Sequence, residues 1–139
     1  NSVWIAQRLA DLGLAFHRKS AVGDDREELR SLFLEALERS ELIVCTGGLG
    51  PTFDDFTKEL WAEVLGAPLV EDPESRRAIE AFFESRQRPC PPNNFKQALV
   101  PVGAEALPNP VGTAPGILWE NPRDFPAPAS SSCPAFPGR

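Results

Sequence analysis

Thr46-Gly47-Gly48-Leu49-Gly50-Pro51-Thr52-Phe53-Asp54-Asp55-Phe56-Thr57-Lys58-Glu59 is the stretch on which the fold turns. The short apolar run Leu42-Ile43-Val44-Cys45 leads into it, and the helical pattern Leu60, Trp61, Val64, Leu65 leads out. A glycine-rich turn between a buried strand and a helix is a place where backbone N–H groups can meet a phosphate. The two adjacent aspartates add the means to hold a cation or position a proton. Phosphate cradle plus carboxylates points to nucleotide or phosphoester chemistry.

The loop lacks the Gly-Lys-Ser/Thr of a P-loop, and it is not the dinucleotide fingerprint Gly-x-Gly-x-x-Gly. A Gly-Gly-x-Gly turn alone serves as a plain strand-to-helix connection about as often as a ligand loop. The plainer account of Asp54, Asp55 and Thr57 is helix capping, for which all three are suited. Capping needs one such residue, whereas here there are three plus an upstream Thr52, so the pattern favours a ligand site. Lys58, on the first helical turn, reads as exposed and solvated.

Working outward, Ser2 can cap a first helix with the stripe Ile5, Leu9 and Leu12, closed by Gly13. Leu14 to Val22 reads as a strand, and Asp24 or Asp25 begins a second helix through a capping box with Glu27 or Glu28. Leu29, Leu32, Phe33, Ala36 and Leu37 form that helix's apolar face. Glu41 to Thr46 is apolar on both faces, as a central strand covered by helices should be. Downstream, Gly66 closes the helix around Lys58–Leu65, and Asp72-Pro73-Glu74 starts a fourth helix. Arg86 to Asn94 is a proline-rich loop, followed by a short helical turn over Asn94–Ala98. Short strands are predicted at Ala104–Leu107 and Ile117–Glu120. Between them lies a second turn, Asn109-Pro110-Val111-Gly112-Thr113-Ala114-Pro115-Gly116, which is either a proline-stiffened loop or a second place for a phosphate or polar ring, with Thr113 and neighbouring amides as donors.

Alternating helices and strands imply an α/β sandwich with a mostly parallel sheet. Ligands in such sheets sit at the carboxyl ends of strands. The two glycine loops and the Asp24 turn would then converge on one edge.

The chain of 139 residues suits one domain over 1–120, followed by a Pro/Ala/Ser-rich irregular tail over 121–139. The net charge of −6 argues against a nucleic-acid partner and leaves any phosphate ligand to be held by local groups. Cys45, Cys90 and Cys133 are too dispersed for a zinc cluster, and Cys45 reads as a buried small hydrophobe. The single histidine, His17, has no evident catalytic partner and reads as a strand or loop residue. With no apolar run long enough for a bilayer and no signal peptide, the expected address is the cytoplasm.

The T-G-G-L-G-P-T-x-D-D-x-T-K-E run, the N-P-V-G-T-A-P-G run and the opening N-S-V-W-I-A-Q-R-L-A-D-L-G-L together resemble the N-terminal domain of the CinA (competence/damage-inducible) family. Arg88 to Ala98 is also similar. That domain belongs to the molybdopterin-binding MoaB/MogA-like superfamily. The resemblance covers Asn1 to about Glu120. It implies a three-layer α/β sandwich with a mostly parallel mixed sheet. It also implies that the glycine loop binds a pterin or nucleotide phosphate, with Thr46, Gly47, Gly48, Gly50, Pro51, Thr57 and Lys58 as contacts. Asn109, Gly112, Thr113, Ala114 and Gly116 supply the second loop. By motif position Asp55 is the aspartate important to activity, Asp54 the extra carboxylate of the CinA branch, and Asp24 a second functional aspartate. The branch is associated with ADP-ribose pyrophosphatase activity dependent on a divalent metal (Mg²⁺, Mn²⁺ or Co²⁺), for which Asp54 and Asp55 are the candidate ligands. A non-catalytic module that binds molybdopterin or a nucleotide is the alternative, and a truncated remnant of structural relevance only is a third. Relatives form homo-oligomers.

Family members carry a strand and a Gly-Asp-Glu-Leu-Leu-like segment before the equivalent of Asn1, so a first strand is expected to be missing. After Asn121 the sequence departs from the family's hydrophobic strand, as a shifted coding frame would make it do.

Overall fold

Asp25 adopts an extended backbone, and its Oδ1 accepts the Glu28 N–H at 2.8 Å, which starts the longest helix among the described residues. This is the side-chain half of the capping box anticipated for the second of the two aspartates, and it leaves Asp24 uncommitted. In the computed structural model, which describes residues 2–120, the elements run α1 (Ser2–Asp11), α2 (Arg26–Arg39), α3 (Thr57–Leu65), β1 (Leu69–Glu71), α4 (Pro73–Glu84), a 3₁₀ helix (Pro92–Ala98), β2 (Leu99–Pro101), β3 (Glu105–Leu107) and β4 (Gly116–Leu118). The tail assigned to 121–139 lies outside the described residues.

Helix ends follow the sequence closely. Gly13 takes a positive φ of 74°, and the Leu14 N–H reaches back to the Leu9 carbonyl at 2.9 Å, closing α1. Gly66 does the same for α3 with φ 68°, and the Ala67 N–H bonds the Ala62 carbonyl. Asp72 caps α4 by accepting the Ser75 N–H at 2.7 Å, with Pro73 in the first turn.

The core lies where α3, α4, the 3₁₀ helix and β2 meet. Leu60, Ile79 and Pro101 are fully buried there, joined by Ala62, Leu65, Ala98 and Val100. Phe33 fastens α2 to α3 by stacking on Trp61, with ring centroids 4.0 Å apart and planes 11° from parallel. The remainder of the predicted α2 stripe is half-buried. On α1, Ile5 and Leu9 are half-buried, but Leu12, Val3 and Trp4 are exposed.

The strands match expectation only in part: β3 and β4 fall on the predicted Ala104–Leu107 and Ile117–Glu120, but the sheet they were to join is absent among the described residues. β1 pairs antiparallel with β2 (Val70 opposite Val100), and β3 with β4 (Ala106 opposite Ile117), giving two separate two-stranded sheets. A mostly parallel sheet is not formed among the described residues. Its expected members, Leu14–Val22 and Glu41–Thr46, run without regular structure. A strand exists only through its ladder, and neither segment makes a backbone ladder bond to another described segment. Leu42, Val44 and Cys45 are accordingly exposed rather than enclosed. His17 is an exposed loop residue.

Candidate functional site

The glycine loop is built to close on itself. Gly47 and Gly48 have φ of 98° and 67°, a region that residues with a Cβ rarely enter. The Thr57 N–H donates to the Gly48 carbonyl at 3.1 Å, tying the loop to the head of α3. A Cβ on Gly48 would overlap the Thr57 side chain, and one on Gly50 would overlap the Asp55 carboxylate. Asp55 Oδ2 accepts from both the Thr52 N–H, at 3.1 Å, and the Thr52 hydroxyl.

This disposes of helix capping as an account of the acidic pair. The residue at the cap position of α3 is Phe56, and no side chain caps that helix. Asp55 faces back into the loop instead. The Thr52 hydroxyl, helped by the amides of Thr52 and Gly50 and by the Lys96 ammonium, holds its carboxyl below the ordinary aspartate value. Asp54 is exposed beside it.

Lys58 is not solvated. It is 3 % exposed, and its ammonium donates to the Lys96 carbonyl. Burial pushes its pKa down to about 8, with Lys96 acting in the same direction and Glu59 opposing. Lys96, which the motif reading did not single out, donates through Nζ to the carbonyls of Thr52 (3.0 Å) and Asp55. Its Nζ also lies 3.6 Å from Glu59 Oε1, and both Glu59 carboxylate oxygens are buried with no hydrogen-bond partner.

The second loop is likewise self-braced. Asn109 accepts the Val111 N–H at 3.1 Å and donates to the Ala114 carbonyl at 2.8 Å. Gly112 lies against the Asn109 side chain, and Gly116 opens β4 close to Leu107. The Thr113 hydroxyl donates to Gln97 Oε1 at 2.9 Å, and buried Gln97 donates to Asn94. The 3₁₀ helix therefore carries both loops. Lys96 holds the glycine loop, Gln97 holds the Thr113 loop, and Asn93 reaches toward the Pro51 carbonyl at 3.5 Å.

The Asp24 turn joins this assembly less directly. Arg26 pairs with Glu63 and lies over the Phe56 ring at 5.6 Å, which places the start of α2 beside the start of α3. Asp24 itself is exposed, with no ion pair or hydrogen bond among the described residues. Thr46, at the mouth of the loop, is also exposed. The residues that sequence reasoning did not single out are Lys96 and Gln97, whereas Glu59 closes the glycine-loop run itself. The only signal for Lys96 and Gln97 was the Arg88–Ala98 run, in which polar residues stand among prolines.

Among the described residues no three His, Cys, Asp or Glu side chains gather as a metal site, and no helix is long and apolar enough to cross a membrane. The donor set of Asp54 and Asp55 fits a hard cation of the magnesium type. Such an ion is commonly held by one or two carboxylates, with water and substrate phosphates completing its shell.

Helices, short strands and two glycine-bearing loops docked on one short helix make an α/β domain, and the comparisons with known proteins give it the MogA-like fold. The chain belongs to the family described as "Probable molybdopterin binding domain", which matches residues 1–138. Within it the similarity is to CinA proteins. A "CinA-like protein" of Trichormus variabilis is 47 % identical over 120 residues, covering 86 % of this chain and 29 % of that protein. A "Putative competence-damage inducible protein" of Caldanaerobacter subterraneus is 46 % identical over 140 residues, covering 98 % of this chain and 34 % of that one. The crystal structure of CinA from Thermoplasma acidophilum, a protein titled as of unknown function, superposes with a TM-score of 0.76. Its sequence is 35 % identical, and the match covers 88 % of this chain and 72 % of that chain. The chain spans about a third or less of the curated relatives it matches.

Proposed function

We propose that this domain binds a nucleotide through its two loops and hydrolyses ADP-ribose-like pyrophosphates with the help of a divalent metal. The observation that carries the reading is the state of Asp55. It is ionised and tied to the loop, and α3 makes no use of it as a cap. The reaction is the addition of water across a phosphoanhydride, so ADP-ribose and water give AMP and ribose 5-phosphate. Asp54 and Asp55 would hold the metal, which when bound neutralises phosphate charge and acidifies water. Loop amides between Gly47 and Gly50 bind the phosphate oxygens and stabilise charge that develops on them. Lys58 and Lys96 set positive charge behind the loop, local compensation for a chain of net charge −6.

Incubation with ADP-ribose and Mg²⁺, Mn²⁺ or Co²⁺, followed by chromatography for AMP, tests the proposal. Metal-dependent AMP release by the wild type and its loss in Asp55→Asn is the expected result. Undiminished release by Asp55→Asn defeats the assignment. The family description favours a second reading, a molybdopterin-binding module without turnover. Thermal stabilisation by molybdopterin, with no AMP formed under any metal, would select it.

A further inference from the structure

The Lys96 ammonium has three donors, and the structure directs them at three different groups. Two are main-chain carbonyls, Thr52 O at 3.0 Å and Asp55 O. The third side faces Glu59 Oε1 at 3.6 Å, within ion-pair reach but beyond a hydrogen bond. Lys96 is also held by its own carbonyl, which accepts from the buried Lys58 ammonium. The residue is thus gripped at both ends.

The two carbonyls flank Phe53 and Asp54, so this segment arches over one ammonium. At the crest Phe53 is 99 % exposed, and Asp54 is exposed beside it. A trans peptide is planar, with its C=O and N–H on opposite sides. When the Thr52 and Asp55 carbonyls turn in to Lys96, the N–H groups of Phe53 and Phe56 must turn out. Resting on the phosphate-loop reading above, we propose that Lys96 is a positioning residue. From beneath the loop it sets two peptide planes so that the Phe53 and Phe56 amides and the Asp54 carboxylate face an anionic phosphate ligand and its metal.

The arrangement needs a cation with several donors at this position. An ammonium on a flexible stem serves divergent acceptors, whereas an apolar side chain of similar length would leave the Asp55 carbonyl without this donor and the Thr52 carbonyl with only the long Asp55 N–H bond of 3.3 Å. Glu59, whose buried oxygens accept no hydrogen bond among the described residues and which also attracts the Lys58 ammonium, keeps the Lys96 ammonium from swinging out to solvent.

Hydrogen exchange on the wild type, Lys96→Met and Lys96→Arg tests this without any turnover. In Lys96→Met, amides between 52 and 57 should exchange about tenfold faster, with α2 and α4 unchanged. Lys96→Arg, which keeps the charge and several donors, should stay within about threefold of wild type. ADP-ribose affinity by calorimetry should fall about tenfold in the methionine variant and recover in the arginine variant. Unchanged loop exchange in Lys96→Met overturns the proposal. So does a uniform rise across α2, α3 and α4, which would make Lys96 a general stabiliser. If Lys96→Met fails to fold, Lys96→Gln replaces it, with loop exchange intermediate between wild type and unprotected, and no change again overturns the proposal. If wild type binds no ADP-ribose, the functional reading falls, while the exchange result still decides the role of Lys96.

Discussion

Wild-type stability should rise in alkaline solution, and Lys58→Met should flatten that rise. The side chain is 3 % exposed, and its ammonium is held below the ordinary lysine value of 10.5, at about 8. Below pH 8 both folded and unfolded chains carry the proton, and the folded chain bears the full burden of a buried ammonium. Each tenfold loss of proton affinity is worth about 1.4 kcal/mol, so that burden is about 3 kcal/mol. As pH climbs from 8 toward 10.5, the folded chain releases a proton that the unfolded chain still holds, so stability rises. The gain between pH 7 and pH 10 is about 2.5 kcal/mol. Methionine fills similar space and cannot titrate. It leaves the Lys96 carbonyl without this donor, at a cost of about 1–3 kcal/mol, so wild type and variant should be nearly equal at neutral pH. The diagnostic is the slope. Urea unfolding of both proteins at half-unit steps from pH 7 to pH 10 should give curves that diverge, with the wild type gaining on the variant. Parallel curves would refute the reasoning, because the lysine would then be titrating as if in water.

Leu60→Ala, at a fully buried position, should cost about 3 kcal/mol, seen as a lower urea midpoint with an unchanged slope. Gly48→Ala forces a Cβ into a residue with φ 67° and into the Thr57 side chain; stabilisation by ADP-ribose in a thermal-shift assay should vanish, while far-UV circular dichroism stays that of the wild type. Asp25→Ala should lose about 1 kcal/mol through the cap of α2 and keep ligand binding. Asp24→Ala should do the reverse, with unchanged stability and diminished ADP-ribose hydrolysis, and a stability loss as large as that of Asp25→Ala would remove Asp24 from the site.

The helices were legible because their signals are local. Asp25, Asp72, Gly13 and Gly66 each act within one turn, and all four do what their residue types dictate. The strands were legible only in part: β3 and β4 fall on the segments read as strands, Ala104–Leu107 and Ile117–Glu120, whereas β1 and β2 went unread, because a strand is defined by a neighbour that can lie anywhere in the chain. Leu69–Glu71 and Leu99–Pro101 are three residues each, beside prolines, and carry no period that a reader could find. Their pairing across α4 is a tertiary fact. In the site, the glycine loop and the Asn109 loop were recognisable from glycine and proline spacing. Lys58 was misjudged because a charged residue on a first helical turn is usually solvated, and only the position of the Lys96 carbonyl reveals otherwise. Lys96 and Gln97 act across 41 and 16 residues of chain, distances over which no motif operates.

The two loops hang from consecutive residues of a helix that turns about 120° per residue. Lys96 points to one loop and Gln97 to the other because they are neighbours on that winding. Deleting or inserting a single residue between Pro92 and Lys96 would rotate both hooks off their targets together. The length of this seven-residue segment therefore matters to both loops at once, in a way that the identity of any one of its outward residues does not.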